Sequence, residues 1–190
     1  PRTPRAAFLE VIGRPVVPPS PSTAVVTTAG GYREETLSFA SEKDERVPVL
    51  IIRASRHQGR LPVVIALHGT GGNKEGMRGR LQRYADRGFL GVSMDARHHG
   101  ARARPVAGMR DAYQGAMFEA YRSGAGHPYL YDTVWDVMRL IDYLATRDDV
   151  DAPRIGIIGS SKGGTEAYLA AAADDRVAAT VSLIGVQGFG

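Results

Sequence analysis

The sequence predicts an α/β fold, a mostly parallel β-sheet in a three-layer sandwich with helices on both faces. Three observations carry that prediction. Between residues 61 and 184, short apolar runs of strand length alternate with segments of helix length. Runs such as Leu61-Pro-Val-Val-Ile-Ala-Leu67 lack the polar alternation of a half-solvated strand, so they describe strands buried on both faces. The intervening segments repeat their apolar residues at helical spacing, as the crossovers between parallel strands require.

The elements follow in order. Residues 1–22 contain Pro1, Pro4, Pro15, Pro18, Pro19 and Pro21, and are predicted to be an extended, non-helical arm or linker. Residues 23–190 then form one domain. Glu35–Ala40 and Val47–Ile52 read as two strands of a hairpin joined by the charged turn 41–45. After the strand at 61–67, Asn73 is placed to cap a helix with Met77, Leu81, Tyr84 and Ala85 on its apolar face, ending at Gly88. Phe89–Met94 is the next buried strand. Residues 96–130 are an irregular excursion with one short helix around 111–121. A long helix after Asp132 buries Val134, Val137, Met138, Ile141 and Leu144. Strand 154–158, helix 161–173 and strand 177–184 complete the alternation.

Composition narrows the function. A chain of 190 residues is one domain's worth and can bury a sizeable core. No apolar run approaches the roughly 18 to 20 residues that span a bilayer. The net charge is +4, but the arginines are scattered and usually sit beside acids, as in Arg147-Asp148-Asp149. That is a solvated surface rather than a nucleic-acid track. The absence of cysteine excludes disulfides, thiolate nucleophiles and cysteine-based zinc sites, and fits a reducing compartment, so a cytoplasmic location is expected. The chain opens at Pro1, which reads as processing, trimming or a fragment; an Arg-containing, acid-poor start leaves organelle targeting open.

The chemistry concentrates in Gly159-Ser160-Ser161-Lys162-Gly163-Gly164, a G-x-S-x-G pattern between a predicted strand and a predicted helix. A turn tight enough to lift a serine hydroxyl above the sheet edge leaves no room for side chains two residues to either side. Gly159 and Gly163 supply that clearance. The helix that follows aims free N–H groups and its positive end at the same point, so Ser161 reads as a nucleophile and the Lys162 N–H as an oxyanion donor. The bland alternative is a Gly-Ser turn that merely caps a helix. A second glycine-rich loop, His68-Gly69-Thr70-Gly71-Gly72, follows the strand at 61–67. Its exposed amides suit an oxyanion hole, with the Thr70 N–H the candidate donor and Gly69 and Gly71 as neighbours. A phosphate loop would end in Gly-Lys-Ser/Thr, whereas this one continues Gly72-Asn73-Lys74-Glu75.

With these motifs in this order, the chain resembles the α/β-hydrolase superfamily from about residue 34 to residue 190, through its sixth strand. The segments Asp95-Ala-Arg-His-His-Gly100 and 151–164 are most similar to dienelactone-hydrolase-like esterases and prolyl-oligopeptidase-like peptidases. The resemblance implies a serine hydrolase acting on a small-molecule ester or a peptide, without cofactor or metal. It also implies a catalytic acid and histidine on later loops, beyond residue 190, with about 60 to 90 further residues. The fold is then incomplete at its C-terminus. A non-catalytic binding protein of the same fold is the rival reading.

The histidines inside the chain offer no evident substitute. His57 reads as an exposed turn residue and His68 as a structural start to the oxyanion loop. His98 and His99 with Asp95 could hold a metal, but a polar loop fixed by the Asp95 carboxylate is the simpler expectation. His127 lies in the excursion. The excursion's arginines, Arg97, Arg102, Arg104, Arg110 and Arg122, read as solvated surface, with a substrate-covering role for an acidic or aromatic acyl group as the alternative. Trp135 reads as packing.

Overall fold

The computed structural model describes residues 2–104, 107–124 and 127–185. Seven strands form one sheet: β1 (Val25–Ala29), β2 (Tyr32–Glu42), β3 (Glu45–Ala54), β4 (Leu61–Leu67), β5 (Leu90–Met94), β6 (Val150–Ser160) and β7 (Val177–Leu183). Their spatial order is β1-β2-β3-β5-β4-β6-β7. β3 runs antiparallel to β2 and β5, and β1 antiparallel to β2, while β4, β5, β6 and β7 are mutually parallel. Most strands therefore share one direction, and the four carrying the apolar runs form the predicted parallel core.

The helices complete three layers. On one face lie α4 (Tyr129–Ala145) and α5 (Lys162–Ala173), with α1 (Pro4–Ile12) packed against both. On the other lies α2 (Arg78–Ala85), against β3, β4 and β5. The larger core, including Phe39, Val63, Ile65, Val92, Val137, Leu140 and Ile157, fills the α4/α5 side. A smaller cluster of Leu50, Ile52, Ala66 and Leu81 fills the α2 side. Helix α3 (Ala112–Ser123) projects from the excursion with Met117, Phe118 and Tyr121 exposed.

Three local expectations are corrected. The arm is not wholly extended, because residues 4–12 are helical. Thr3 caps that helix by accepting the Ala6 N–H at 3.2 Å, and Pro4 occupies the first turn, where a missing N–H costs nothing. Beyond Gly13 the chain is extended and hydrogen-bonded to the domain, the Ser22 N–H donating to Ser38 O at 2.8 Å. The first hairpin is β1–β2, absent from the sequence reading, with Gly30 and Gly31 at φ +59° and +82° forming its two-residue turn. The β2–β3 turn is shorter than 41–45, since only Lys43 and Asp44 lie between the strands.

The remaining boundaries differ by a few residues. Asn73 does not cap the helix directly: it lies before the N-cap Lys74 of a single 3-10 turn, Glu75–Met77, accepts the Gly76 N–H at 2.8 Å, and that turn leads into α2. Among the described residues no helix is long and apolar enough to cross a membrane.

Candidate active site

The carboxyl ends of β5, β4 and β6 bring the sequence motifs together. Ser161 stands between β6 and α5 at φ 55°, ψ −124°, a conformation that L-residues rarely adopt, and it is exposed. Its N–H donates to Leu183 O at 2.9 Å and its carbonyl accepts the Thr165 N–H at 3.0 Å, so β7 and α5 together hold the strained residue. Lys162 begins α5, where the first amides have no acceptor within the helix.

Glycine is required at both flanks. A Cβ on Gly159 would overlap the Gly163 carbonyl, and one on Gly163 would lie 2.5 Å from Leu67 O and 2.7 Å from His68 O. The second contact also locates the 68–72 loop, which is packed directly against the elbow. A Cβ on Gly69 would come within 3.4 Å of Ser160 O. Within the loop, the Gly72 N–H donates to Gly69 O at 3.1 Å. Thr70 is thereby left exposed at the crest of a tight turn, beside Gly71 at φ +74°.

His68 is buried and fully used. Nδ1 lies 2.8 Å from Gly69 O, and Nε2 accepts the Ala96 N–H at 3.2 Å. Only the neutral ring protonated at Nδ1 makes both bonds. Burial, with the Lys162 charge adding to it, pushes its pKa down to about 4. Burial also lowers His99, whose Nδ1 faces Arg97 O at 2.7 Å and whose ring stacks on Tyr113.

The Asp95 carboxylate fixes the loops around it, as in the polar-loop expectation. It accepts from the Lys74 N–H at 2.9 Å, the Lys74 ammonium at 2.9 Å and the Ala101 N–H at 3.0 Å. Among the described residues no group of three or more His, Cys, Asp or Glu is placed to hold a metal ion. His127 bonds Arg14 and Asp132 instead of approaching Ser161. His57, expected exposed, is half-buried. Trp135 is buried packing whose Nε1–H donates to Ser41 O at 3.1 Å.

The excursion's arginines divide: Arg104, Arg110 and Arg122 are exposed, as the solvated reading expects, whereas Arg97 and Arg102 are drawn inward. Arg97 and Arg102 are partly buried beside Asp136, Arg97 at 2.8 and 3.0 Å and Arg102 at 2.6 Å. Burial alone would raise the Asp136 carboxyl; the two guanidiniums outweigh it and hold the group below its usual range. These arginines fasten the excursion to α4 and to Glu42 and Glu45.

Sequence reasoning also missed a buried pair within the elbow helix. The Lys162 ammonium donates to both carboxylate oxygens of Glu166, each at 2.9 Å. The i, i+4 spacing was readable, but the same spacing describes any solvated helix pair.

Comparison with known proteins bears on the family and the fold. The family described as acetyl xylan esterase (AXE1) matches residues 24–185. YtaP of Bacillus subtilis (strain 168) is 28% identical over 156 residues, which is 78% of this chain and 52% of YtaP. The acetyl xylan esterase 1 structure from Thermoanaerobacterium sp. JW/SL YS485 superposes with a TM-score of 0.74 at 22% identity, covering 94% of this chain and 56% of that one. The acetyl xylan esterase from Paenibacillus sp. R4 gives a TM-score of 0.71 at 20% identity, over 94% of this chain and 57% of that one. The chain thus spans about half the length of the relatives it matches.

Proposed function

Because the chain belongs to the acetyl xylan esterase (AXE1) family of α/β-hydrolase-fold esterases, we propose that it carries the nucleophile-bearing part of a serine esterase. Ser161 Oγ gives its proton to the general base and bonds to the carbonyl carbon of a small ester; the ester C–O bond breaks, the alcohol leaves with that proton, and water then cleaves the acyl-enzyme to release the acid and restore the serine. The backbone N–H groups of Thr70 and Lys162 receive the charge that develops on the carbonyl oxygen. Family membership favours an ester over a peptide bond, and an acetyl ester is the substrate class it suggests. No resident cofactor or metal takes part in the proposed steps.

The observation that carries the reading is the contact between two loops, the strained Ser161 turn and the glycine-rich 68–72 segment, at adjacent strand ends. The general base is assigned elsewhere. His68 has both ring nitrogens engaged and His127 is bonded to Arg14 and Asp132. The histidine and its carboxylate partner are expected in the part of the relatives' length that this chain does not span. Without them the serine is a weak nucleophile at neutral pH.

A fluorophosphonate probe applied to the full-length polypeptide is expected to label Ser161, with labelling lost in Ser161→Ala. A folded full-length protein that resists the probe, or labelling that persists in the variant, would remove the assignment. Residues 1–190 alone are expected to hydrolyse p-nitrophenyl acetate no faster than their own Ser161→Ala control.

A further inference from the structure

The side chain of Lys162 is a feature of the elbow distinct from its amide. The ammonium and the Glu166 carboxylate are 4% and 1% exposed. Three aspects of this pair work against stability. Taking both charges out of water costs several kcal/mol per ion on the general scale, and an apolar pair of similar volume is often as stable or more so. A cation in the first turn of α5 faces the positive end of the helix dipole. Lysine four residues before glutamate is also the weaker order for such a pair on a helix.

The surroundings show where the pair acts. Burial pushes the Glu166 carboxyl up, opposed chiefly by the Lys162 charge, with the nearby Thr133 side chain acting in the same sense as Lys162. Thr133, at the start of α4, also accepts the Arg97 N–H at 3.3 Å. Glu166 therefore lies near the start of α4, the helix packed against α5, where Thr133 also meets the loop after β5. On the other side, the Lys162 charge bears on His68 and His99, which belong to the loops beside the elbow. Among the described residues, Asp136 also acts on Glu166, Glu166 acts on Tyr129, and Asp95 acts on both histidines. Lys162 starts the helix and Glu166 lies one turn further in, so the pair's positive end is the end at Ser161, in the same sense as the helix dipole.

We propose that the buried Lys162–Glu166 pair is a positioning pair for the reaction at Ser161, fixing the first turn of α5 against α4 and adding positive potential behind the Lys162 amide. This rests on the reading of Ser161 as nucleophile and that amide as oxyanion donor. The negative charge it would favour exists only in the tetrahedral species that form and break the acyl-enzyme, so the pair acts on kcat and leaves substrate binding alone.

The test uses the full-length enzyme and the Lys162→Met/Glu166→Met variant, which removes both charges together. The expected result is a melting temperature close to wild type, KM for p-nitrophenyl acetate within about threefold, and kcat lowered roughly ten- to a hundredfold, as for a small misplacement of a donor. The rate of fluorophosphonate labelling falls in parallel. Lys162→Arg, which keeps a cation against Glu166, recovers most of the loss. If the apolar pair does not fold, Lys162→Gln/Glu166→Gln, which keeps a hydrogen bond and removes only the charges, is expected to show the same fall in kcat. A folded neutral variant with kcat within twofold of wild type overturns the proposal and leaves the pair a structural element. Failure of the wild type to react with the probe overturns the nucleophile assignment instead.

Discussion

At position 159 a single methyl group has nowhere to go, because the Gly163 carbonyl occupies its place. Gly159→Ala is therefore expected to lose both the turn and the reactivity of Ser161, seen as loss of probe labelling together with a lower melting temperature. Gly79→Ala is the matched control. A Cβ there meets nothing within 4 Å, and alanine in the first turn of α2 is expected to stabilise by about 0.5 to 1 kcal/mol in urea titration. His68 supplies a pH dependence. Its folded pKa of about 4 lies below the unfolded value near 6.5, so the unfolded chain takes up the proton first as pH falls. The stability is fully present above about pH 6.5 and is lost progressively towards pH 4, on the order of 3 kcal/mol in all. Urea midpoints measured across that window should fall, and His68→Gln should flatten the slope. A slope unchanged by the substitution would assign the acid sensitivity elsewhere.

Residue-level legibility was uneven for a physical reason. The glycines flanking Ser161 answer to a steric demand that any sequence with this turn must meet, so they are visible without coordinates. The burial of Arg97 and Arg102 depends on Asp136, more than thirty residues away in sequence, and no local spacing signals that partner.

Among the elements, α1 shows how composition can mislead. Six prolines in 22 residues suggested an extended arm, yet Thr3-Pro4 is a helix start and Gly13 a stop, and only the prolines from Pro15 onward act as breakers. The Gly30-Gly31 turn between Val25–Ala29 and Tyr32 was likewise a readable two-residue hairpin signal. The apolar strands β4 and β5, by contrast, were legible because burial on both faces leaves little room for polar residues, whereas β7, expected to be equally buried, is largely exposed. Helix α1 belongs to the core: Ile12 is fully buried, and Phe8 meets Tyr131 edge-on at 5.1 Å between ring centroids. Ile12→Ala is expected to cost about 2 to 5 kcal/mol, measured by urea denaturation. A loss under about 0.5 kcal/mol would mean that the helix is an accessory.

For the whole molecule, the two faces of the sheet are unequally covered. Helix α2 shields β3, β5 and part of β4, but beyond it lies an apolar groove of about 460 Å³ lined by residues including Val64, Tyr84, Phe89, Ile158 and Val181. Leu183 and Ile184 are also exposed at the end of β7, and among the described residues β7 pairs only with β6. Contiguous apolar surface and an unpaired strand edge both favour association. Residues 1–190 prepared alone are expected to bind an apolar dye and to sediment as more than a monomer. A monodisperse, dye-free monomer would show that this face tolerates water.

The carboxylate of Asp95 clasps the start of the 74–77 turn and the 100–101 turn at once, although these leave the sheet from different strands. Grafting either segment alone from another protein would strand that acid without its donors. The two surface loops are therefore exchangeable only as a matched set, and any redesign of the rim has to treat them as one module.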